Sequence, residues 1–179
     1  MTMRAVLVIA SSMLVGSLGA AQAAAGDPEG WSLRTDCAKP RAFLVWAPLE
    51  DGSRVLEFDC VPGNFFVARS EDAPGELVGS PATLLLGGDQ ATYPIAGEVA
   101  KDANTGQVFF TATLSGDAKG LAAVRRGLAP LLESGGSLKY AIIAGNVSTG
   151  SFENSPLILL QPLRPIMKRF NSVCFGAKK

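Results

Sequence analysis

Arg54-Val55-Leu56-Glu57-Phe58-Asp59-Cys60 is the cleanest run of period two in the chain. Leu56, Phe58 and Cys60 fall on one side of an extended backbone, and Val55, Glu57 and Asp59 fall on the other. That alternation predicts a half-buried strand whose last inward residue is a thiol. Near the C-terminus, Ile166, Phe170, Val173 and Cys174 recur at i, i+4, i+7 and i+8. On a helix they share one face, so a second thiol turns inward. Together the two stretches predict a strand and a late helix facing one core.

On the N-terminal side, residues 31–35 predict a short strand with Trp31, Leu33 and Thr35 on one face, and residues 41–47 a stronger one. Asp51-Gly52 predicts a hairpin turn, and a two-residue turn there sets Phe43 opposite Cys60. Val61-Pro62-Gly63-Asn64 predicts the next turn and residues 65–70 the next strand. Residues 71–81 are charged and rich in Pro and Gly, the composition of a surface loop. Strands come next at 82–86, 93–100 and 107–114, separated by turns at Gly87-Gly88-Asp89 and from Asp102 to Gly106. Short strands at this spacing indicate an antiparallel β-sandwich or a barrel-like domain.

The period then changes. Leu121, Val124, Leu128, Leu131 and Leu132 share a face of a helix over 118–133, with Lys119 and Arg126 opposite. Pro130 is awkward in its interior, and Gly135-Gly136 ends it. Leu138, Tyr140, Ile142 and Ala144 alternate in a largely buried strand, and Ser151-Phe152-Glu153 reads as a short one. Ser155-Pro156 has the form of a helix N-cap with Pro at N1. Pro162 and Pro165 interrupt the segment beyond it, so the regular C-terminal helix is expected over 165–173. The fold class is therefore mainly β with two helices, in one domain over 31–179.

The first residues read as an export signal: Arg4, an apolar stretch over 5–19, then the small-residue site Ala21-Gln22-Ala23. A signal peptide over 1–23, cleaved after Ala23 or Ala25, leaves a flexible leader over 24–30. No later apolar run is long enough to span a bilayer, so the mature chain is expected without a transmembrane segment, in the periplasm or secreted.

The chain contains no histidine, which removes His-based triads, His metal sites and His pH switches. Its three cysteines are Cys37, Cys60 and Cys174, an odd number for an oxidising compartment. Joining Cys60 to Cys174 closes a loop of about 115 residues, worth about 4–5 kcal/mol; joining Cys37 to Cys60 is worth about 3–3.5. Energy hardly separates them. The hairpin register places Cys37 beyond the partner of Cys60, which favours Cys60–Cys174 and leaves Cys37–Cys60 open. A nucleophilic thiol would need a base or a C-x-x-C motif, and neither is present.

Three acidic pairs, Glu50-Asp51, Glu57/Asp59 and Glu71-Asp72, are the formal candidates for two-carboxylate hydrolysis. A solvated sheet face and acidic turns account for them more simply. Gly87-Gly88-Asp89 and Gly135-Gly136-Ser137 lack the phosphate-loop Lys and the dinucleotide spacing, and Asp102-x-Asn104-x-Gly106 lacks the ligands that complete a calcium loop. All three read as turns, so no metal or cofactor is expected. Trp31 and Trp46 read as core or sheet-edge anchors. Formal charge is zero overall, yet beyond Asp117 the bases dominate, with Glu133 and Glu153 the only acids. Arg125, Arg126, Lys168 and Arg169 on the two helices form a candidate interaction surface. The simpler account is that the acidic first part and the basic last part neutralise each other once folded. Nucleic acid is not an expected partner, because aromatic stacking residues do not accompany the cations.

The element order also carries a resemblance. Trp31 lies soon after the signal peptide, a strand ends in Cys60, and an amphipathic helix precedes Gly135-Gly136-Ser137-Leu138-Lys139-Tyr140. A Phe152-led segment then runs through Leu157, Leu160, Leu163 and Phe170 to Cys174. This resembles the small periplasmic proteins of the invasion-associated locus B type, and type VI secretion accessory proteins with a similar helix-and-Cys ending. The resemblance implies a periplasmic β-sandwich-like domain without known catalysis. The expected function is that of a non-enzymatic accessory protein of the bacterial envelope, in host contact or secretion, with an envelope or secreted protein as partner. The other classes are a small-ligand or polysaccharide binder using a sheet face near Trp31 or Trp46, and an inhibitor of a cell-wall hydrolase using the acidic loop at 71–76.

Overall fold

A computed structural model describes residues 30–36, 41–47, 56–62, 65–89, 91–115, 118–134, 136–153, 155, 157–159 and 164–176. The stretch read as a signal peptide, Asp51-Gly52, Cys37 and the Glu50-Asp51 pair lie outside them. The strands are β1 (Trp31–Asp36), β2 (Arg41–Trp46), β3 (Leu56–Val61), β4 (Phe65–Ser70), β5 (Pro81–Gly87), β6 (Thr92–Lys101), β7 (Val108–Ser115), β8 (Ser137–Ala144) and β9 (Ile158–Leu159). The helices are α1 (Ala118–Glu133) and α2 (Arg164–Phe175). Every strand pair is antiparallel, in the order β1-β2-β3-β4-β7-β6-β5-β8-β9. The class expected from the sequence, mainly β with two helices, is the class observed.

The sheet does not close. It coils, because β6 and β7 pair only from Glu98–Thr111 to Lys101–Val108 and then diverge. Gly97 sits at the divergence, where a Cβ would collide with the Thr111 carbonyl and the Phe110 ring. Two blades result, β1-β2-β3-β4-β7 and β6-β5-β8-β9, and their inner faces enclose the core. Beyond Gly97, β6 is an edge on its β7 side, which is where Pro94 with its missing N–H can be accommodated. The blades meet again at their far corner, where the Trp46 ring of β2 lies edge-on to Tyr140 of β8 at 6.5 Å.

Leu56, Phe58 and Cys60 point into this core, as their alternation predicts. Ala42 and Leu44 of β2 face Cys60 and Phe58 across the pair. Phe43 therefore lies opposite Asp59, not opposite Cys60 as the two-residue turn requires. A one-residue slip would send every inward side chain of β2 outward, so burial of Ala42 and Leu44 sets the register over the turn signal. β5 is buried on both faces: Ala82, Leu84 and Leu86 join the core, while Thr83, Leu85 and Gly87 lie beneath the chain segment beyond β8.

The helices fill the opening between the blades. α1 has the bounds its periodicity predicts, and buries Val124, Leu128, Leu131 and Leu132. Gly127 allows the Tyr93 ring of β6 to lie directly on the helix backbone. α2 packs on α1 and β2 through Met167, Phe170, Cys174 and Phe175. The sequence face placed Ile166 and Val173 among these, but both are only partly buried. Phe58 stacks on Phe66 at 6.0 Å, Phe66 meets Phe175 at 6.2 Å, and Phe175 meets Phe170 edge-on at 6.4 Å. Burial of each such ring stabilises by about 1.5–3 kcal/mol. Beside this cluster Cys60 and Cys174 form a disulfide, with Cα atoms 5.7 Å apart across 114 positions of sequence.

Two local expectations are overturned. Ser151-Phe152-Glu153 is not a strand; the last strand is Ile158–Leu159, paired with Ser137 and Leu138. Ser155 does not cap a helix. Its hydroxyl accepts the Tyr140 backbone N–H at 2.7 Å, and α2 begins only at Arg164, with Pro165 in its first turn. The open edge of β8 competed for the Ser155 hydroxyl and won it.

Loss of the cross-link through Cys60→Ala with Cys174→Ala is expected to lower unfolding free energy by about 4–5 kcal/mol. Chemical denaturation of the oxidised protein and the double variant measures the gap. A gap below about 1 kcal/mol would mean that the bond constrains the unfolded chain little.

Candidate functional site

β8 is the strand on which a cleft is built. Tyr140 donates its N–H away from β5, to Ser155. In an antiparallel strand successive residues alternate the edge to which N–H and C=O point, so Ile142 and Ala144 present theirs to that same open edge. β9 covers the edge only at Ser137 and Leu138. After Ala144 the chain leaves the strand line. Thr83 Oγ1 donates to the Gly145 carbonyl at 2.7 Å and accepts from the Val147 N–H at 3.1 Å. Gly150 then lies against Ile143 and Leu85, and Phe152 lies on Gly87, where a side chain would displace its ring. The return path therefore crosses the outer face of β5 and β8.

Between the β8 edge and this return path is an open cleft of about 360 Å³ lined by Asp72, Pro74, Tyr140, Ala141, Ile142, Ile143, Ser151, Phe152, Glu153 and Ser155. Four consecutive residues of one strand can line a single cleft only if it runs along the strand edge, since their side chains alternate between faces. Tyr140 is buried, and its phenol donates to Asp72 Oδ2 at 3.0 Å. Burial, and then the neighbouring Asp72 carboxylate, push the Tyr140 phenol far above its usual range. It is therefore a proton donor at any physiological pH and not a base. Asp72 and Glu153 are the two acids that line the cleft.

The residues singled out by sequence lie elsewhere. Arg125, Arg126, Lys168 and Arg169 are all exposed, on α1 and α2, as is Lys119. Arg169 reaches Thr35 of β1 at 3.5 Å, and the positive charge of Arg126 acts on Tyr93. Glu133 is the single acid of the two helices, and Asn171 Nδ2 donates to its carboxylate at 2.6 Å. Among the described residues Arg41 and Asp59 form an ion pair at 2.7 Å, within the acidic part of the chain.

That pair also removes the Glu57/Asp59 candidate as a free acid pair. The two carboxylates do lie on one outer face, but the Arg41 guanidinium donates to both oxygens of Asp59, which is only 6 % exposed. Arg41 further covers the Phe43 ring at 4.1 Å, and the hydrogen bonds it donates to Asp59 raise the Arg41 pKa. The two glycine turns, Gly87-Gly88-Asp89 and that ending in Gly136-Ser137, come together. Ser137 Oγ donates to Asp89 Oδ1 at 2.6 Å, and the Asp89 carboxylate occupies the space a phosphate would need. Asp102 Oδ1 accepts from the N–H groups of Asn104 and Thr105 and from the Thr105 hydroxyl, which closes the turn and lowers its pKa. Trp31 is buried at 3 % exposure and Trp46 is half-buried and packed against the core. Sequence reasoning noted Asp72 and Tyr140 separately. Nothing local relates residues 68 positions apart, and the cleft was missed.

No protein family matches the chain, and no curated protein does. Among solved structures it is similar to invasion associated protein B from Bartonella henselae. Identity is 18%, over 81% of this chain and 94% of that one, with a TM-score of 0.41. A likeness this slight carries no argument about activity. Among the described residues no helix is long and apolar enough to cross a membrane.

The two tyrosines are Tyr93 and Tyr140, and both phenols are raised, Tyr93 chiefly by burial. A raised folded-state value contributes stability that is full below the unfolded value of about 10 and is lost as pH rises beyond it. The Tyr140 phenol should therefore give no phenolate absorbance near that pH in the native protein and should ionise only as the protein unfolds at higher pH. Tyr140→Phe should cost about 1 kcal/mol through loss of the Asp72 bond. Two phenols titrating normally in the folded protein would contradict the Tyr140 assignment.

Proposed function

We propose that this is an exported, disulfide-bonded protein of the bacterial envelope with no catalysis of its own, which acts by docking to another protein through its helical layer. The observation that carries the reading is the charge of that layer. Lys119, Arg125, Arg126, Lys168 and Arg169 are exposed on two adjacent helices whose one acid, Glu133, is already held by Asn171. Like charges gathered on two adjacent helices raise the local potential, so an acidic surface is the partner they favour. The export signal read from the sequence and the buried Cys60–Cys174 bond support an oxidising compartment. The absence of histidine and the engagement of Asp59 by Arg41 support a role without catalysis. Host contact or secretion is the process the sequence resemblance favours.

Crosslinking of the tagged mature protein in intact cells, with mass spectrometry of the products, tests this reading. One dominant protein partner is expected in the wild type. It should be lost in the charge reversal Arg125→Glu, Arg126→Glu, Lys168→Glu, Arg169→Glu, and the isolated complex should weaken as salt screens the charges. A monomer with no crosslinked partner, or a partner indifferent to the reversal, would sink the proposal.

A further inference from the structure

We infer that the open edge of β8 from Ile142 to Ala144 receives an extended segment of a partner protein as an added strand, and that cationic side chains of that segment meet Asp72 and Glu153. The inference is independent of the helical cations: it concerns another surface, with charge of the opposite sign. Three observations carry it. First, the main-chain N–H and C=O of Ile142 face the cleft, and none of the described residues pairs with them. An unpaired strand edge is a template for another chain unless charges, proline, a bulge or a cover protect it. Here the edge sequence is Ala141-Ile142-Ile143-Ala144, without charge or proline, and at Gly150 and Phe152 the return path of the chain lies against the outer face of β5 and β8.

Second, the same edge already accepts a strand. β9 pairs with Ser137 and Leu138, and Ser155 takes the Tyr140 N–H, so an incoming segment would extend an existing ladder. Third, the flanking charge specifies the incomer. Asp72 and Glu153 are exposed carboxylates that both line the cleft, and no Lys or Arg lines it. Successive side chains of an added strand point to opposite faces, so adjacent basic residues of the segment would sample both walls of the cleft and meet these acids. Ile142, Ile143 and Phe152 offer apolar contact to the residues beside them. Main-chain pairing would supply affinity and the flanking acids selectivity, the division of labour general to strand addition.

The test titrates the mature protein with a capped synthetic peptide, Thr-Val-Lys-Arg-Val-Thr, and with its acidic counterpart, Thr-Val-Glu-Asp-Val-Thr. The readouts are calorimetry and amide hydrogen exchange. The basic peptide should bind saturably and slow exchange of the Ile142 and Ala144 amides, while the acidic one should not bind. Asp72→Asn with Glu153→Gln, both at exposed positions, should leave circular dichroism unchanged and weaken the basic peptide about tenfold or more, as expected for loss of two charge contacts. Four outcomes would overturn the inference. They are no binding, equal binding of the acidic peptide, unaltered binding by the double variant, or protection confined to other strands. Concentration-dependent protection of Ile142 without peptide would also overturn it and assign the edge to a second copy of the chain.

Discussion

The Cys60–Cys174 bond joins the one strand and the one helix whose apolar faces define the core, at the point where their aromatic rings interlock. Without α2 the inner surfaces of both blades would be exposed beside Phe58 and Phe66. Without the sheet α2 would be a short helix with four bulky residues in water. Neither half can bury its surface alone, and the covalent bond fixes their relative position where the packing requires it. The coiling of the sheet obeys the same logic. Splitting at Gly97 lets the blades fold toward each other, and α1 occupies the space this opens, with Tyr93 seated on Gly127.

Much of this was readable in the linear chain, because the signals are local. Alternation located the strands to within a residue or two, and the helical period gave α1 its observed bounds. The inward thiols came from the same periodicities. What local signals could not supply was the competition between distant groups. Asp51-Gly52 argued for one register of β2 on β3, and the burial of Ala42 and Leu44 imposed another. Ser155-Pro156 has the form of a helix start, yet the Ser155 hydroxyl satisfies an orphaned strand N–H instead.

The candidate sites divide along the same line. Clusters contiguous in sequence, such as Arg125-Arg126 and Lys168-Arg169, were visible at once, and their surroundings had to wait for the fold. The β8 cleft is assembled from three segments with no common motif. A strand edge is a property of what fails to lie beside it, and no residue pattern encodes that directly.

The chain has two tryptophans, and they stand opposite each other on β1 and β2 at the corner where the blades converge. The indole N–H of Trp31 is buried without a hydrogen-bond partner among the described residues, and Trp46 lies against Tyr140. Intrinsic fluorescence of this protein is thus a local optical gauge of one corner and is blind to the far end, where sulfur chemistry holds sheet and helix together. Quenching or a red shift would signal the blades parting, whatever the state of the thiols, so light emission and redox titration would track two separable events in one molecule.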